Sequence, residues 1–238
     1  MDTVIISVIE TVGIIAFAIS GSIVAIDRGM DLFGVVFLSM TTCFGGGIMR
    51  DIIIVRTPLF FTSMWLHVSL AFAFSLLTFL IARIFGRQYR RRESTVLYVI
   101  NYVDALGIGA FSVSGVKMCI EAYPERGAFL AIMMGVLTAV GGGMIRDICL
   151  RTVPFVLRKR IYALASLAGA VLYYVLSVYL AGSVFTEVLF CVLGILTVFV
   201  IRVLATVFKW NLPRAVAFGD VGDLPKTETK KENEPLGV

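Results

Sequence analysis

Arg50-Asp51 and Arg146-Asp147 each stand just beyond three consecutive glycines, Gly45-Gly46-Gly47 and Gly141-Gly142-Gly143. Glycine loses roughly 1 kcal/mol of helix propensity relative to alanine, so each triplet favours a kink, an unwound turn or a very close helix contact. Where a helix opens, its last carbonyls attract a cation and the next N–H groups attract an anion. An adjacent guanidinium and carboxylate add both signs of charge. The chemistry in prospect is the handling of small ions or zwitterions.

A second set of residues lies upstream. Glu10, Gly13, Phe17 and Ser20 recur as Asp104, Gly107, Phe111 and Ser114, each set at the spacing of one helical stripe. At ~1.5 Å per residue, Glu10 and Ser20 are about 15 Å apart. That spacing suits a cation path with Glu10 and Asp104 at opposite mouths, Ser20 and Ser114 at mid-depth, and Phe17 and Phe111 as apolar constrictions. The plainer alternative makes the serines small packing residues and the acids helix starts. Lys117, one turn past Ser114, has Ile23 as its counterpart; it either sets a barrier in the path or snorkels outward.

These residues belong to an internal duplication. The two GGGxxRD segments are offset by 141 − 45 = 96, the acid-to-serine stripes by 104 − 10 = 94, and Pro58 and Pro154 again by 96. Self-similarity over that length makes most of the chain two related halves.

Composition places the halves in a membrane. The chain is 59% hydrophobic and only 16% charged, with a mean hydropathy of +0.95; soluble domains are roughly 45–50% apolar. Seven apolar runs, 4–26, 31–55, 62–85, 96–119, 127–150, 161–181 and 184–208, each approach the ~20 residues that cross a bilayer. The expected fold is all-α and integral to the membrane: a single domain over 1–208, with repeat one at 4–85, repeat two at 96–181 and a seventh helix at 184–208. Residues 209–238 read as a flexible cytoplasmic tail.

Basic residues set the expected orientation. Arg83, Arg87, Arg90, Arg91 and Arg92 follow span three, Arg158, Lys159 and Arg160 follow span five, and the tail carries lysines. The positive-inside tendency puts all three in the cytoplasm, giving N-out/C-in, with the connection near Gly182 outside. An odd number of spans per repeat then inverts the halves, a symmetry common among transporters and some channels. The first span carries Asp2 and the repeat motif, so it reads as retained and not as a cleaved signal.

Several function classes fall away. The net charge of +5 is the positive-inside excess and does not indicate nucleic acid. Cys43, Cys119, Cys149 and Cys191 have no CxxC spacing, and His67 is the single histidine, read as interfacial. No cofactor, metal site or disulfide framework is expected. GGG without GxGxxG or GK[ST] is not a phosphate loop. With no nucleophile–base arrangement, the chain does not read as an enzyme.

The twin glycines are expected to break their helices beside a polar pathway, where exposed backbone is tolerated; close packing by small residues is the alternative. A charge at mid-membrane costs about 2.5–3.5 kcal/mol, so Arg50, Asp51, Arg146 and Asp147 should be paired, snorkelled or wet. Each pair is expected to fix a kinked half-helix. Its arginine would limit cation passage or bind an anionic lipid head group.

The doubled GGGxxRD motif, each copy preceded by a G-x-x-A-F-x-x-S-G helix in a 3+3+1 chain, resembles the prokaryotic trimeric intracellular cation (TRIC) channel family. Sequences of this type also carry the name glycine transporter. The resemblance covers roughly residues 4–208. It implies a homotrimer with a pore in each subunit, bounded by spans one, two, four and five and kinked at the glycine triplets. Potassium would be the main permeant ion, with sodium the alternative, and membrane lipids the other partners. Arg-Asp after both triplets is the bacterial form, which implies the plasma membrane of a prokaryote. Two functions stay open: a monovalent-cation channel, and a secondary transporter of glycine or another small amino acid.

Overall fold

A computed structural model describes residues 2–58, 65–85, 93–158, 161–180, 183–208 and 210. The basic positions Arg87, Arg90, Arg91, Arg92, Lys159 and Arg160, the expected connection near Gly182 and, Trp210 apart, the expected tail 209–238 lie outside the described residues. Among the described residues, seven long helices follow in order: α1 (Asp2–Asp27), α2 (Leu32–Ile53), α3 (Trp65–Ile84), α4 (Glu93–Ala122), α5 (Gly127–Cys149), α6 (Ile161–Tyr179) and α7 (Val184–Val207). A 3₁₀ turn, Pro124–Arg126, precedes α5, and a one-turn helix, Phe155–Arg158, precedes α6. All seven are long and apolar enough to cross a membrane. At about 45 Å by helical rise, α4 exceeds the ~30 Å hydrocarbon core and must tilt or protrude.

Local chemistry ends the helices where the sequence turns polar. The Asp31 carboxylate accepts from the Gly34 N–H at 2.8 Å and caps α2. Gly29, at φ +69°, closes α1, its N–H donating to the Ile26 carbonyl at 2.9 Å. The ends of α2 and α5 repeat one another: Val55 (φ +55°) and Arg151 (φ +53°), 96 residues apart, both occupy the left-handed region. The next N–H in each case, Arg56 or Thr152, donates back to the Asp51 or Asp147 carbonyl at 2.8 and 3.0 Å. The duplication has kept a left-handed backbone that β-branched valine disfavours.

Packing places repeat one against repeat two. The spanning part of α4 is 83% buried within the chain and that of α3 only 17%, so α4 is central and α3 peripheral. The centre is where α1 crosses α4. Gly13 lies under the Phe111 ring and Gly107 under the Phe17 ring, and the two rings meet at 5.1 Å between centroids, tilted by 37°. In the same way α2 crosses α5, with α7 packed on α4 and α6.

The glycine triplets do not break their helices. α-Helix runs unbroken through Gly45–Gly47 in α2 and through Gly141–Gly143 in α5, which corrects the expected gap and realises the close-contact alternative. A Cβ on Gly46 would run into the Thr138 carbonyl, and one on Gly142 into the Thr42 carbonyl. The Gly45 and Gly141 positions face the partner helix as well, at Ile145 Cδ1 and Gly46 Cα. With no β-carbon in the way, the Cα hydrogens reach the opposing carbonyls and the two backbones touch. The third glycines differ. A Cβ on Gly47 would meet only Arg50 Nη2 at 3.8 Å.

That contrast fixes the first expected outcome. Gly46→Ala or Gly142→Ala should cost about 1–3 kcal/mol by overpacking, whereas Gly47→Ala should melt near the parent in detergent; equal losses at all three positions would contradict the crossing. A second outcome concerns the strained turn: Val55→Gly should raise stability by about 1 kcal/mol by removing the left-handed valine, and a lower melting temperature would contradict it.

Candidate functional site

The stripe residues of α1 and α4 meet across the inverted repeat. Ser114 Oγ donates to Glu10 Oε1 at 2.8 Å, and Ser20 Oγ donates to Asp104 Oδ1 at 3.3 Å. Because α1 and α4 run antiparallel, the acid of each half is level with the serine of the other. The expected order of acids at the mouths and hydroxyls at mid-depth is corrected accordingly. Two acid–serine pairs sit apart along the axis, and Phe17 and Phe111 fill the space between them. All four polar side chains are buried, Glu10 at 4% and Asp104 at 5% exposure.

Each glycine triplet delivers its Arg-Asp pair to one of these acid–serine pairs. Arg50 Nε donates to Asp51 Oδ1 at 2.9 Å, and Arg146 Nε donates to Asp147 Oδ1 at 2.8 Å. Arg50 and Arg146 are 2% and 5% exposed, so both guanidiniums turn inward. Arg50 and Arg146 lie in the last turns of α2 and α5, buried within the chain. Asp147 also holds the following segment, since its Oδ2 accepts from the Phe155 N–H at 2.7 Å, which pins the chain as it turns toward α6.

Beside Glu10 lies a partly open cavity of about 20 Å³, lined by Glu10, Gly47, Arg50, Asp51, Phe111 and Thr138 among others. That is room for about one water. Arg50 Nη1 has no hydrogen-bond partner among the described residues. Around Asp104 the second half is more crowded with cations. Arg146 Nη1 and Arg202 Nη2 each stand 3.9 Å from an Asp104 oxygen, and the Arg202 guanidinium lies 4.6 Å above the Tyr162 ring.

Lys117 turns toward the helix ends: Nζ donates to Glu187 Oε1, in the first turn of α7, at 2.8 Å and pairs with Glu121, near the end of α4, at 3.5 Å. The Tyr173 hydroxyl donates to the same Glu187 oxygen at 2.6 Å. His67, third residue of α3, is turned inward: its Nε2 meets the Ser7 carbonyl at 3.3 Å and Thr11 Oγ1 at 3.2 Å, near the starts of both spans. Glu187, Tyr173, Tyr162 and Arg202 escaped the sequence reading. Glu187 and Arg202 carried a usable signal, since an ionisable residue in an apolar span is functional or paired by default.

Among the described residues no group of His, Cys, Asp and Glu is arranged to hold a metal ion. Seven spans arranged as two inverted three-helix repeats and one added helix, with buried ionisable groups on the inter-repeat axis, define a multi-pass membrane protein of the inverted-repeat class. A family model described as Glycine transporter matches residues 7–83 and 101–178, and the chain belongs to that family. The inner membrane protein YadS of Escherichia coli K12 is 35% identical over 208 residues, 86% of this chain and 92% of that protein. The membrane protein YvgT of Bacillus subtilis is 34% identical over 205 residues, 86% and 94% of the two chains. These relatives place the protein in the inner membrane of a prokaryote.

Solved structures agree on the fold. A TRIC cation channel studied for its conductance superposes with a TM-score of 0.74 at 34% identity, covering 89% of this chain and 97% of that one. The TRIC trimeric intracellular cation channel orthologue from Rhodobacter sphaeroides gives 0.73 at 30% identity, with coverage of 86% and 98%. A prokaryotic TRIC channel crystallised in 0.5 M KCl gives 0.75 at 27% identity, with coverage of 89% and 100%. The fold is that of the prokaryotic TRIC channels.

The Lys117 geometry yields its own test. Lys117→Met should destabilise the protein by about 1–3 kcal/mol by leaving Glu187 with the Tyr173 hydroxyl alone, and Lys117→Met with Glu187→Leu should recover most of the loss. A Lys117→Met protein of parental stability but altered ion flux would return the lysine to the pathway.

Proposed function

We propose that the protein is a monovalent-cation channel, potassium-permeable, with a pore in each subunit of a homotrimer and with α1, α2, α4 and α5 as the pore helices. The observation that carries this reading is the axial order Glu10–Ser114, Phe17/Phe111, Ser20–Asp104. A cation leaving water gains carboxylate and hydroxyl oxygens at one end, meets an apolar plug, and finds the same oxygens at the other end. The likeness to solved TRIC cation channels supports it.

The conformation described is closed. Phe17 and Phe111 are 1% and 6% exposed, and the cavity beside Glu10 holds about one water. Opening requires the two rings to part, and the α2/α5 contact is the hinge about which the repeats would move. With the N-terminus outside, the Glu10 end faces the exterior and the Asp104 end the cytoplasm. None of this asks the protein to make or break a covalent bond.

One observation favours a second reading. The family description names glycine, and the Glu10 cavity offers a carboxylate and a guanidinium, which could hold an ammonium and a carboxylate. The cavity as it stands is too small for glycine, so a transporter would need it to enlarge on binding.

Recording from purified protein in planar bilayers under a potassium gradient tests the proposal. Unitary currents that reverse near the potassium potential, unaffected by added glycine, are the expected result, and Phe17→Ala with Phe111→Ala should raise the open probability several-fold. Electrical silence together with saturable glycine uptake into liposomes would overturn it.

A further inference from the structure

The inverted repeat supplies two equivalent charged sets, and α7, which has no counterpart, makes them unequal. At the Glu10 end the charged neighbours are Arg50 and Asp51, with His67 as the titratable group facing from α3. Of the fixed charges there, two carboxylates, Glu10 and Asp51, meet one guanidinium. Residues 59–64, which lead into α3, contain no charged side chain. At the Asp104 end two carboxylates, Asp104 and Asp147, meet two guanidiniums, Arg146 and Arg202.

The helix that adds Arg202 does so from a buried position. Arg202 is 3% exposed, held over Tyr162 at 4.6 Å and near Phe155 at 5.8 Å. Its Nε and Nη2 have no hydrogen-bond partner among the described residues, so neutral packing does not account for an arginine there. His67 at the start of α3 faces Glu10 as Tyr162 at the start of α6 faces Asp104, so the two hold comparable places in their repeats. Beside His67 no described arginine or lysine stands where Arg202 stands beside Tyr162. What stands near Glu10 is the cavity, with the 2% exposed Arg50 on its wall; Nη1 of Arg50, like that of Arg146, has no hydrogen-bond partner among the described residues.

We propose that Arg202 is an internal counter-ion, supplying at Asp104 the positive charge that a bound monovalent cation supplies in the Glu10 cavity. The pathway then carries one cation site and not two. A buried excess carboxylate is costly unless compensated. The charge of α7 thereby decides at which end of the axis a cation rests. Taking the occupant to be the permeant ion rests on the channel reading; the site itself does not.

Thermal melting of the purified full-length protein in detergent, at constant ionic strength with KCl or choline chloride, reads the site without any flux. Wild type should melt higher in KCl, since a ligand bound only by the folded state raises its stability. Glu10→Gln, which keeps the Ser114 bond, should lose that difference. Arg202→Gln should melt low in choline and recover selectively in KCl, with a potassium-specific shift roughly twice that of wild type because two sites then fill. Arg202→Lys should behave as wild type. Rubidium anomalous scattering from wild-type crystals gives a check that does not depend on a variant folding, with density expected at Glu10 and none at Asp104.

Equal losses for Arg202→Gln in both salts would make Arg202 a packing residue and overturn the inference. A wild type stabilised by acid but indifferent to potassium would overturn it too, with a proton on Glu10 in place of a cation. Bilayer silence with the potassium-specific shift intact would contradict the channel and leave this site standing.

Discussion

Backbone contact between α2 and α5 is the constraint on which the rest depends. Gly46 faces the Thr138 carbonyl and Gly142 faces the Thr42 carbonyl, with no space for a β-carbon at either position. Lipid tails offer no hydrophobic drive for helix association, so close packing of small residues has to supply it. Because the helices touch there, the Arg-Asp pair three and four residues beyond each triplet is carried into the protein and not into lipid. Arg50 and Arg146 can then be buried at 2% and 5% exposure, each against its own aspartate. Separating the helices by even a methyl group would leave guanidiniums in a medium that cannot solvate them.

From that contact the axis follows. α1 packs on α2 through Gly21 against Thr42, as α4 packs on α5 through Gly115 against Thr138. This brings α1 and α4 across one another at Gly13/Phe111 and Gly107/Phe17. The crossing sets the acid of each repeat beside the serine of the other, so neither half holds a complete site alone. Two-fold symmetry would make the ends identical. The seventh helix removes that equality through Arg202 at one end, and it also holds Glu187, to which Lys117 of α4 is tied.

What was legible in the sequence was what lies in one dimension. Hydropathy marked the seven spans to within a few residues, and the repeated GGGxxRD and acid-to-serine stripe revealed the duplication that symmetry then folds into antiparallel pairs. The triplets were legible as special but not as to kind, because glycine favours both an opened helix and a close crossing, and only the facing carbonyl decides. The stripe fixed that Glu10 and Ser20 share a face, yet could not tell that Ser114, 104 residues on, would meet Glu10. Lys117 looked like a candidate barrier because its partner, Glu187, is 70 residues away on the unpaired helix. Arg202 had no repeat mate to draw attention to it.

Passage of ions along the α1/α4 axis, by way of both serines, is the central claim. Its most direct test is thiol accessibility in the Ser20→Cys and Ser114→Cys variants, in a background with Cys43, Cys119, Cys149 and Cys191 replaced, reconstituted in liposomes. A small cationic, membrane-impermeant thiol reagent should modify the Ser114→Cys variant from one side of the membrane and the Ser20→Cys variant from the other, each reaction blocking potassium flux. Flux that continues undiminished after both positions have been fully modified would contradict the account.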